Sequence, residues 1–383
     1  MSETRVVVQE RDADQAKTRR RFLKAGAVVA AGGAATIAMP NVSRAQTTVL
    51  KMQGAWAATD ILNDMAMEYV DRVNKMSGNR LRIEYLLAGA VVRPFSIMDA
   101  VHEGVLDAGH HVTVYWYGKH KAASLFGTGP YLGWNATQGL AWIHKGGGKE
   151  LYNELVHDIL KLNVVGFFAT PMPTQPLGWF KKPIKSVADL RGLKYRTVGL
   201  AADLFQKMGL SVAQLPGGEI LPAMERGVID AAEFVGPHDD ERGQFFRVAR
   251  FDYAPGFWEP GARLHFMANL AAWNALPAQY KAALEAACAE ADADMVSRYD
   301  ASNPAALRRL IAGGAQLRFW PRPIMEAAWR ANEELNADIA RQNPRFARIM
   351  ESYNRFRSDM FTWFRVAENS FDNFAFTAAQ TVR

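Results

Sequence analysis

Glu219-Ile-Leu-Pro-Ala-Met-Glu-Arg-Gly227-Val-Ile-Asp-Ala-Ala-Glu233-Phe-Val-Gly-Pro237 is the stretch from which the organisation of this 383-residue chain can be read. Its middle, Ala223-Met-Glu-Arg-Gly-Val-Ile-Asp-Ala231, echoes Ala100-Val-His-Glu-Gly-Val-Leu-Asp-Ala108 almost position for position. Each copy reads as a short helix stopped by glycine, Gly104 or Gly227, followed by an apolar strand. Glycine suits the stop because a helix commonly ends on a left-handed residue, where a Cβ is penalised. In the later copy the strand runs into a carboxylate, Glu233, and closes on Gly236-Pro237. A unit built twice, with a charge left at one strand end, predicts two lobes facing a cleft.

The flanking sequence extends both copies to β-α-β-α-β. In the first, strands are expected at Thr48–Gln53, Leu81–Leu86 and Val105–His110, with helices opened near Thr59 and Pro94. In the second, they fall at Leu193–Arg196, Ser211–Leu215 and Val228–Glu233, with helices at Gly199–Met208 and Glu219–Arg226. The fold class is therefore α/β: two lobes, each built on an open sheet. Val164–Phe168 and Gly178–Phe180 read as strands crossing between the lobes, and Leu264–Leu270 as a returning strand. After Pro277 the pattern is a long connecting helix, then helices over Pro323–Gln342 and Asn343–Phe376. The expected division is 46–169 with 263–275 for the first lobe and 170–262 for the second. Residues 276–383 supply the connecting and C-terminal helices. The last helix carries Tyr353, Phe356, Phe361, Trp363, Phe364, Phe371, Phe374 and Phe376. So much aromatic surface needs a cover, from the lobes or from a second subunit.

Composition narrows the function. The formal charge of +6 is concentrated in residues 1–45, and the remainder holds 37 basic and 35 acidic residues. That near-neutral balance, without a basic run, offers nothing to nucleic acid. A single cysteine, Cys288 among alanines, excludes an internal disulfide and reads as a small buried helix residue. Thr18-Arg-Arg-Arg-Phe-Leu-Lys24, the apolar Ala25–Pro40 and Ser43-Arg44-Ala45 form a secretory signal over 1–45. It resembles the twin-arginine export signal and implies a periplasmic mature protein.

In open α/β sheets ligands gather beyond the carboxyl ends of the strands. That places Gln53–Trp56, His110–Tyr117, Arg196–Gly199 and Glu233–Pro237 around one cleft, and four side chains of the chain could carry chemistry. Arg196 ends a strand between Gly192 and Gly199, where a guanidinium fork suits a carboxylate or an ion pair. Glu233, beside Phe234, needs a cation, a metal or a proton if buried. Glu259, in Trp258-Glu-Pro-Gly261, reads alone as a solvated turn. Gln175 lies in a Pro-rich crossing segment, where its carbonyl could serve a hard cation. His102, His110 and His111 lack the spacing of a zinc helix motif. Asp239-Asp240-Glu241 reads as a helix start with acids at its positive end. No Gly-x-Ser-x-Gly, P-loop or Gly-x-Gly-x-x-Gly is present, so an enzyme is disfavoured.

Gly178-Trp-Phe-Lys-Lys-Pro-Ile-Lys-Ser-Val-Ala-Asp-Leu-Arg-Gly-Leu-Lys-Tyr-Arg196 and Glu225-Arg-Gly-Val-Ile-Asp-Ala231 give the chain a specific likeness. It resembles the solute-binding proteins of tripartite ATP-independent periplasmic (TRAP) transporters, over nearly all of the mature chain, which implies their two-lobe, type II-like periplasmic binding fold. Ala232–Asp240 and Gly256–Gly261 look like the branch that binds 2-oxo acids or lactate through a metal ion. The resemblance implies that Arg196 holds the substrate carboxylate and that Gln175 touches both substrate and metal. It implies coordination of Na⁺ or Ca²⁺ by Glu233, the main-chain carbonyl of Phe234 and Glu259. Trp56, Tyr115 and Trp116 would form the apolar wall. The branch often carries Trp where this chain has Phe234; a main-chain ligand survives that change, while the packing over the substrate differs. The implied partners are a small organic carboxylate, the TRAP permease subunits and, through the C-terminal helix, a second copy. The alternatives are a receptor for lactate or another organic acid, and a metal-dependent periplasmic enzyme acting on 2-oxo acids.

Overall fold

A computed structural model describes residues 47–129, 133–176 and 178–381; the export segment read in 1–45 lies outside them. In chain order the strands are β1 (Thr48–Gly54), β2 (Leu81–Leu86), β3 (Ala108–Val112), β4 (Val164–Pro171), β5 (Gly178–Phe180) and β6 (Lys194–Arg196). They continue with β7 (Ser211–Ala213), β8 (Ala231–Glu233), β9 (Phe251–Ala254), β10 (Arg263–Asn269) and β11 (Gln316–Phe319). They form a five-stranded sheet, β2-β1-β3-β10-β4, and a six-stranded sheet, β11-β9-β5-β8-β6-β7.

The internal repeat is visible in the pairing. β1 lies between β2 and β3, parallel to both, and β6 lies between β7 and β8 in the same way. Each triplet is then extended by an antiparallel strand drawn from beyond its own repeat, β10 beside β3 and β5 beside β8. Both glycine stops are left-handed, with φ of +77° at Gly104 and +70° at Gly227. The strands after them start later than their apolar pattern predicts, at Ala108 and Ala231 rather than Val105 and Val228. The reason is helix termination. Val105 and Leu106 donate their amides to the carbonyl of Ala100, and Val228 and Ile229 donate to that of Ala223. Those groups are consumed in closing the helix and cannot join a ladder.

Two strands are absent from the sequence reading. β9 joins β5 in the six-stranded sheet, and β11 adds a parallel edge to β9 inside the region read as mostly helical. Gln316-Leu-Arg-Phe319 alternates polar and apolar, but over only four residues, all of them exposed.

The long helix spans Ala278–Ala312, about 50 Å at 1.5 Å per residue. Its Tyr280, Leu284, Ala287, Cys288 and Ala291 pack with Tyr69, Val73 and Phe266 of the five-stranded side. Met295, Tyr299 and Leu310, further along, join the core that also holds Phe234, Val235 and Phe245. The helix expected over 343–376 divides at Ala367 into Pro344–Val366 and Glu368–Thr381. Tyr353 is buried against Trp134 and Trp142, whereas Trp363, Phe371, Phe374 and Phe376 are exposed.

Candidate functional site

Arg196 closes β6 and Glu233 closes β8, and the two strands are parallel neighbours. Both charges therefore stand at the carboxyl ends of adjacent strands, offset by one residue because Arg196 is in register with Ala232. Arg196 Nη1 donates to Glu233 Oε1 at 2.7 Å and to the Glu233 carbonyl at 3.1 Å, while Nε donates to the Leu215 carbonyl at 2.8 Å. Both side chains are almost fully buried, at 3% and 1% exposure. A pair this deep is costly to desolvate and is retained only where its geometry is tight or its chemistry is used.

Glu259 enters from the loop before β10. It is 3% exposed, so the solvated-turn reading of Trp258-Glu-Pro-Gly261 is corrected: the turn folds inward. Gln175 Nε2 donates to Glu259 Oε2 at 2.6 Å, and Trp258 Nε1 fixes the amide by donating to Gln175 Oε1 at 3.1 Å. Glu259 Oε1 is buried with no hydrogen-bond partner. Burial, and next the charge of Glu233, push the Glu259 carboxyl well above the usual range, against the pull of Arg196 and Arg263. Burial also raises the Glu233 carboxyl, opposed first by Arg196.

Arg196, Glu233, Glu259, Gln175, Phe234, Trp56 and Tyr115 all line one cavity of ≈ 370 Å³. The rest of its wall is mainly apolar, with Leu62, Val112, Val114, Met172, Val198 and Leu264. Trp56 is held by its indole, whose Nε1 donates to His110 Nδ1 at 2.8 Å. Trp116 is corrected: it does not line the cavity but packs on His111, Tyr152 and His265. Thr113–Trp116 is a turn of 3-10 helix, in which consecutive side chains diverge by about 120°, so Tyr115 and Trp116 face different ways. Phe234 packs edge-on against Phe245 and over Gly217, where a Cβ would come within 2.4 Å of its ring.

The repeat makes the asymmetry legible. Arg196 pairs with Ala232 in one sheet as Gln53 pairs with Gly109 in the other, so Gln53 is the counterpart of Arg196 and His110 of Glu233. Gln53 is spent on the backbone of Val91 and Val92, and burial keeps the His110 pKa well below its ordinary value. One half carries an ion pair; the other carries neutral groups.

Arg263 was missed by the sequence reading. It is fully buried at the start of β10, donating to the carbonyls of Phe126, Leu125 and Gly261. Burial lowers its pKa to about 10, still high enough to stay charged at neutral pH. The available signal was an arginine opening an apolar strand. Asp239 and Asp240 do start a helix, Pro237–Arg242, but both are buried rather than solvated.

The donors converging here are two carboxylates, an amide and main chain. Among the described residues no cluster of three or more His, Cys, Asp or Glu side chains could hold a metal. Oxygen donors of this kind, with one buried carboxylate oxygen unpartnered, fit a hard cation such as Na⁺ or Ca²⁺ rather than a soft metal.

A family model described as bacterial extracellular solute-binding protein, family 7 (DctP), matches residues 52–343. The chain is 41% identical over 304 residues to a monocarboxylate 2-oxoacid-binding periplasmic protein of Nostoc sp., covering 79% of this chain and 82% of that one. A TRAP transporter solute-binding protein of Bordetella bronchiseptica is 40% identical, with a TM-score of 0.85 over 88% of this chain and 100% of its own. That structure is a mixed-occupancy dimer with copurified calcium and picolinate. A second, from Pseudoalteromonas atlantica with bound sodium and pyruvate, is 31% identical, with a TM-score of 0.82 over 86% of this chain and 99% of its own. With its paired α/β sheets and a match across most of its length, the chain belongs to the DctP family of bacterial extracellular solute-binding proteins, the receptors of TRAP transporters.

Proposed function

We propose that the protein is the periplasmic receptor of a TRAP transporter and captures a small 2-oxo monocarboxylate of pyruvate's kind. Capture uses Arg196 together with a Na⁺ or Ca²⁺ ion held by Glu233, Glu259, Gln175 and the Phe234 carbonyl. The observation that carries this reading is the burial of two carboxylates and one guanidinium around a single cavity, with Glu259 Oε1 unpartnered. When bound, the cation reverses the local field and chelates anionic oxygens. Arg196 positions the ligand carboxylate, while Trp56, Tyr115 and Phe234 exclude water around the remainder. Useful capture of so small a solute needs roughly micromolar affinity, about −8 kcal/mol. A thermal-shift series with pyruvate and other small carboxylates, with and without Ca²⁺, tests the reading; no pyruvate-dependent rise in Tm under any cation would overturn it.

We read the protein as a receptor and not an enzyme. The ionisable side chains lining the cavity are Arg196, Glu233, Glu259 and Tyr115. The carboxylates are assigned to the cation, and burial keeps Tyr115 protonated. No base is left for turnover. Delivery to the periplasm by the twin-arginine route, and the division into lobes at 170, 263 and 276, belong to the same proposal.

The raised carboxyls set the sign of a pH effect. Glu259 retains its proton in the cation-free protein to a pH above its usual range, and a cation binds the carboxylate. Binding therefore displaces a proton, and affinity for Ca²⁺ rises as pH increases through the raised pKa and falls below it. Calorimetry at one pH in buffers of different ionisation enthalpy should show proton release; buffer-independent heats would contradict it.

The exposed Trp363, Phe371, Phe374 and Phe376 are the proposed contact for a second copy. Replacing Phe371 and Phe374 with Asp is expected to convert a dimer to a monomer in sedimentation velocity, whereas a mass unchanged by the substitutions counts against that surface.

A further inference from the structure

The two repeats exchange helix caps reciprocally. The first crossover helix of the five-stranded sheet is Ile61–Met76, and that of the six-stranded sheet is Leu200–Lys207. Neither receives a side-chain cap from its own N-cap residue, Asp60 or Gly199. Each is capped from the other sheet instead. Ile61 donates its amide to Asp239 Oδ1 at 3.0 Å, in the helix that follows β8. Leu200 donates its amide to Ser124 Oγ at 3.1 Å, in the segment that follows β3.

The match continues one turn along. Three residues after each capped amide stands a carboxylate, Asp64 and Asp203, paired with a cation of the opposite sheet. Arg242 Nη1 reaches Asp64 Oδ2 at 3.3 Å, and Lys121 Nζ reaches Asp203 Oδ2 at 2.6 Å. Tyr117 adds a hydroxyl to Asp203. In each set the cap and the cation lie three residues apart in sequence, Asp239 with Arg242 and Ser124 with Lys121. These contacts continue directly from the cavity wall, since Trp56 precedes Ile61, Arg196 precedes Leu200, Tyr115 precedes Lys121 and Phe234 precedes Asp239.

We infer that these paired caps are the latch of the cleft, formed as the sheets close over a solute and setting how long the solute is kept. An uncapped helix start leaves backbone amides unsatisfied, and a cap satisfies one of them each time the cleft closes. The ion pairs are partly exposed, with side-chain exposure of 38% and 41% for Arg242–Asp64 and 41% and 16% for Lys121–Asp203. Pairs so placed contribute little each, which suits a clasp that must reopen at the permease. The latch lies outside the residues assigned to the ligand and cation, so it goes beyond the ligand assignment and applies to any solute that closes the cleft.

Single-molecule FRET tests it, with dyes on introduced surface cysteines in the two sheets; the native Cys288 is buried. In the Asp64→Ala/Asp203→Ala protein, pyruvate with Ca²⁺ should dissociate severalfold faster, up to about tenfold, while its association rate changes less than about twofold. The brief closures of the ligand-free protein should become rarer by a similar factor. Exchanging the charges, Asp203→Lys with Lys121→Asp, should restore part of the closed lifetime. Unchanged dissociation and closure in the double variant would overturn the latch. So would a ligand-free Tm that falls as far as the liganded one, because the contacts would then persist in the open protein. If the wild type ignores pyruvate yet its ligand-free closures depend on Asp64 and Asp203, the ligand assignment fails and the latch stands.

Discussion

Arg196→Ala is expected to weaken pyruvate capture by roughly 100- to 1,000-fold in isothermal titration calorimetry, the range for truncating one partner of a buried, hydrogen-bonded charge pair. The side chain has two duties. It supplies the positive charge on which a ligand carboxylate is proposed to rest, and it neutralises Glu233 at 2.7 Å. Its removal therefore also leaves Glu233 buried and unpaired, which costs stability by roughly 3–5 kcal/mol. The two effects separate in a second variant. Arg196→Ala with Glu233→Gln removes the orphaned charge, so stability should recover while binding does not. Arg196→Lys keeps the charge and loses the planar fork, and an intermediate loss is expected. An unchanged Kd in Arg196→Ala would remove the carboxylate assignment.

Cation removal should have an effect of similar size. With Glu233 and Glu259 ionised, an anionic ligand meets two like charges and one guanidinium. At about 4 Å and an effective dielectric near 20, each like-charge contact costs roughly 4 kcal/mol. Protonating Glu259 relieves part of that repulsion, but it leaves nothing to chelate the ligand. Chelation followed by Na⁺-free dialysis is therefore expected to lower pyruvate affinity by more than about 100-fold, and the pyruvate-dependent rise in Tm should vanish. Ca²⁺ should restore both. Glu259→Ala should behave as the stripped protein and fail to respond to added Ca²⁺. A stripped protein that still binds pyruvate with undiminished affinity would leave the two carboxylates without the role assigned to them.

The parts of the fold that announced themselves did so through backbone requirements. Leu81–Leu86 alternates and forms a strand with those bounds. Gly104 and Gly227 mark left-handed positions that few other residues tolerate, and both are left-handed here. What failed to announce itself was decided by neighbours. β11 is a short exposed edge strand that exists because β9 offers it a parallel ladder, and the alternation of its four residues is too brief to set it apart from the helices on either side. The division of the last helix at Ala367 has no glycine or proline to mark it.

The candidate site shows the same split. Arg196 and Glu233 could be placed together from the repeat, because both end strands of one parallel pair. Glu259 could not, since only the tertiary fold decides whether a Trp-Glu-Pro-Gly turn points outward or in. Trp116 was misplaced because the 3-10 turn that separates it from Tyr115 leaves no pattern in four residues. Arg263 was overlooked because its partners are the main chain of Leu125, Phe126 and Gly261, which no spacing rule reaches.

The repeat builds two similar halves and then treats their equivalent positions differently. Gln53 and His110 are neutral and engaged within their own half, whereas Arg196 and Glu233 carry charge into the cavity. Crystals grown with pyruvate and Ca²⁺, with anomalous scattering used to locate the ion, test that account most directly. The predicted result is one Ca²⁺ within about 2.3–2.6 Å of oxygens from Glu233, Glu259, Gln175 and the Phe234 carbonyl, with the pyruvate carboxylate on Arg196. Pyruvate bound in the cavity with no ion beside these carboxylates, or an ion seated elsewhere, would contradict it.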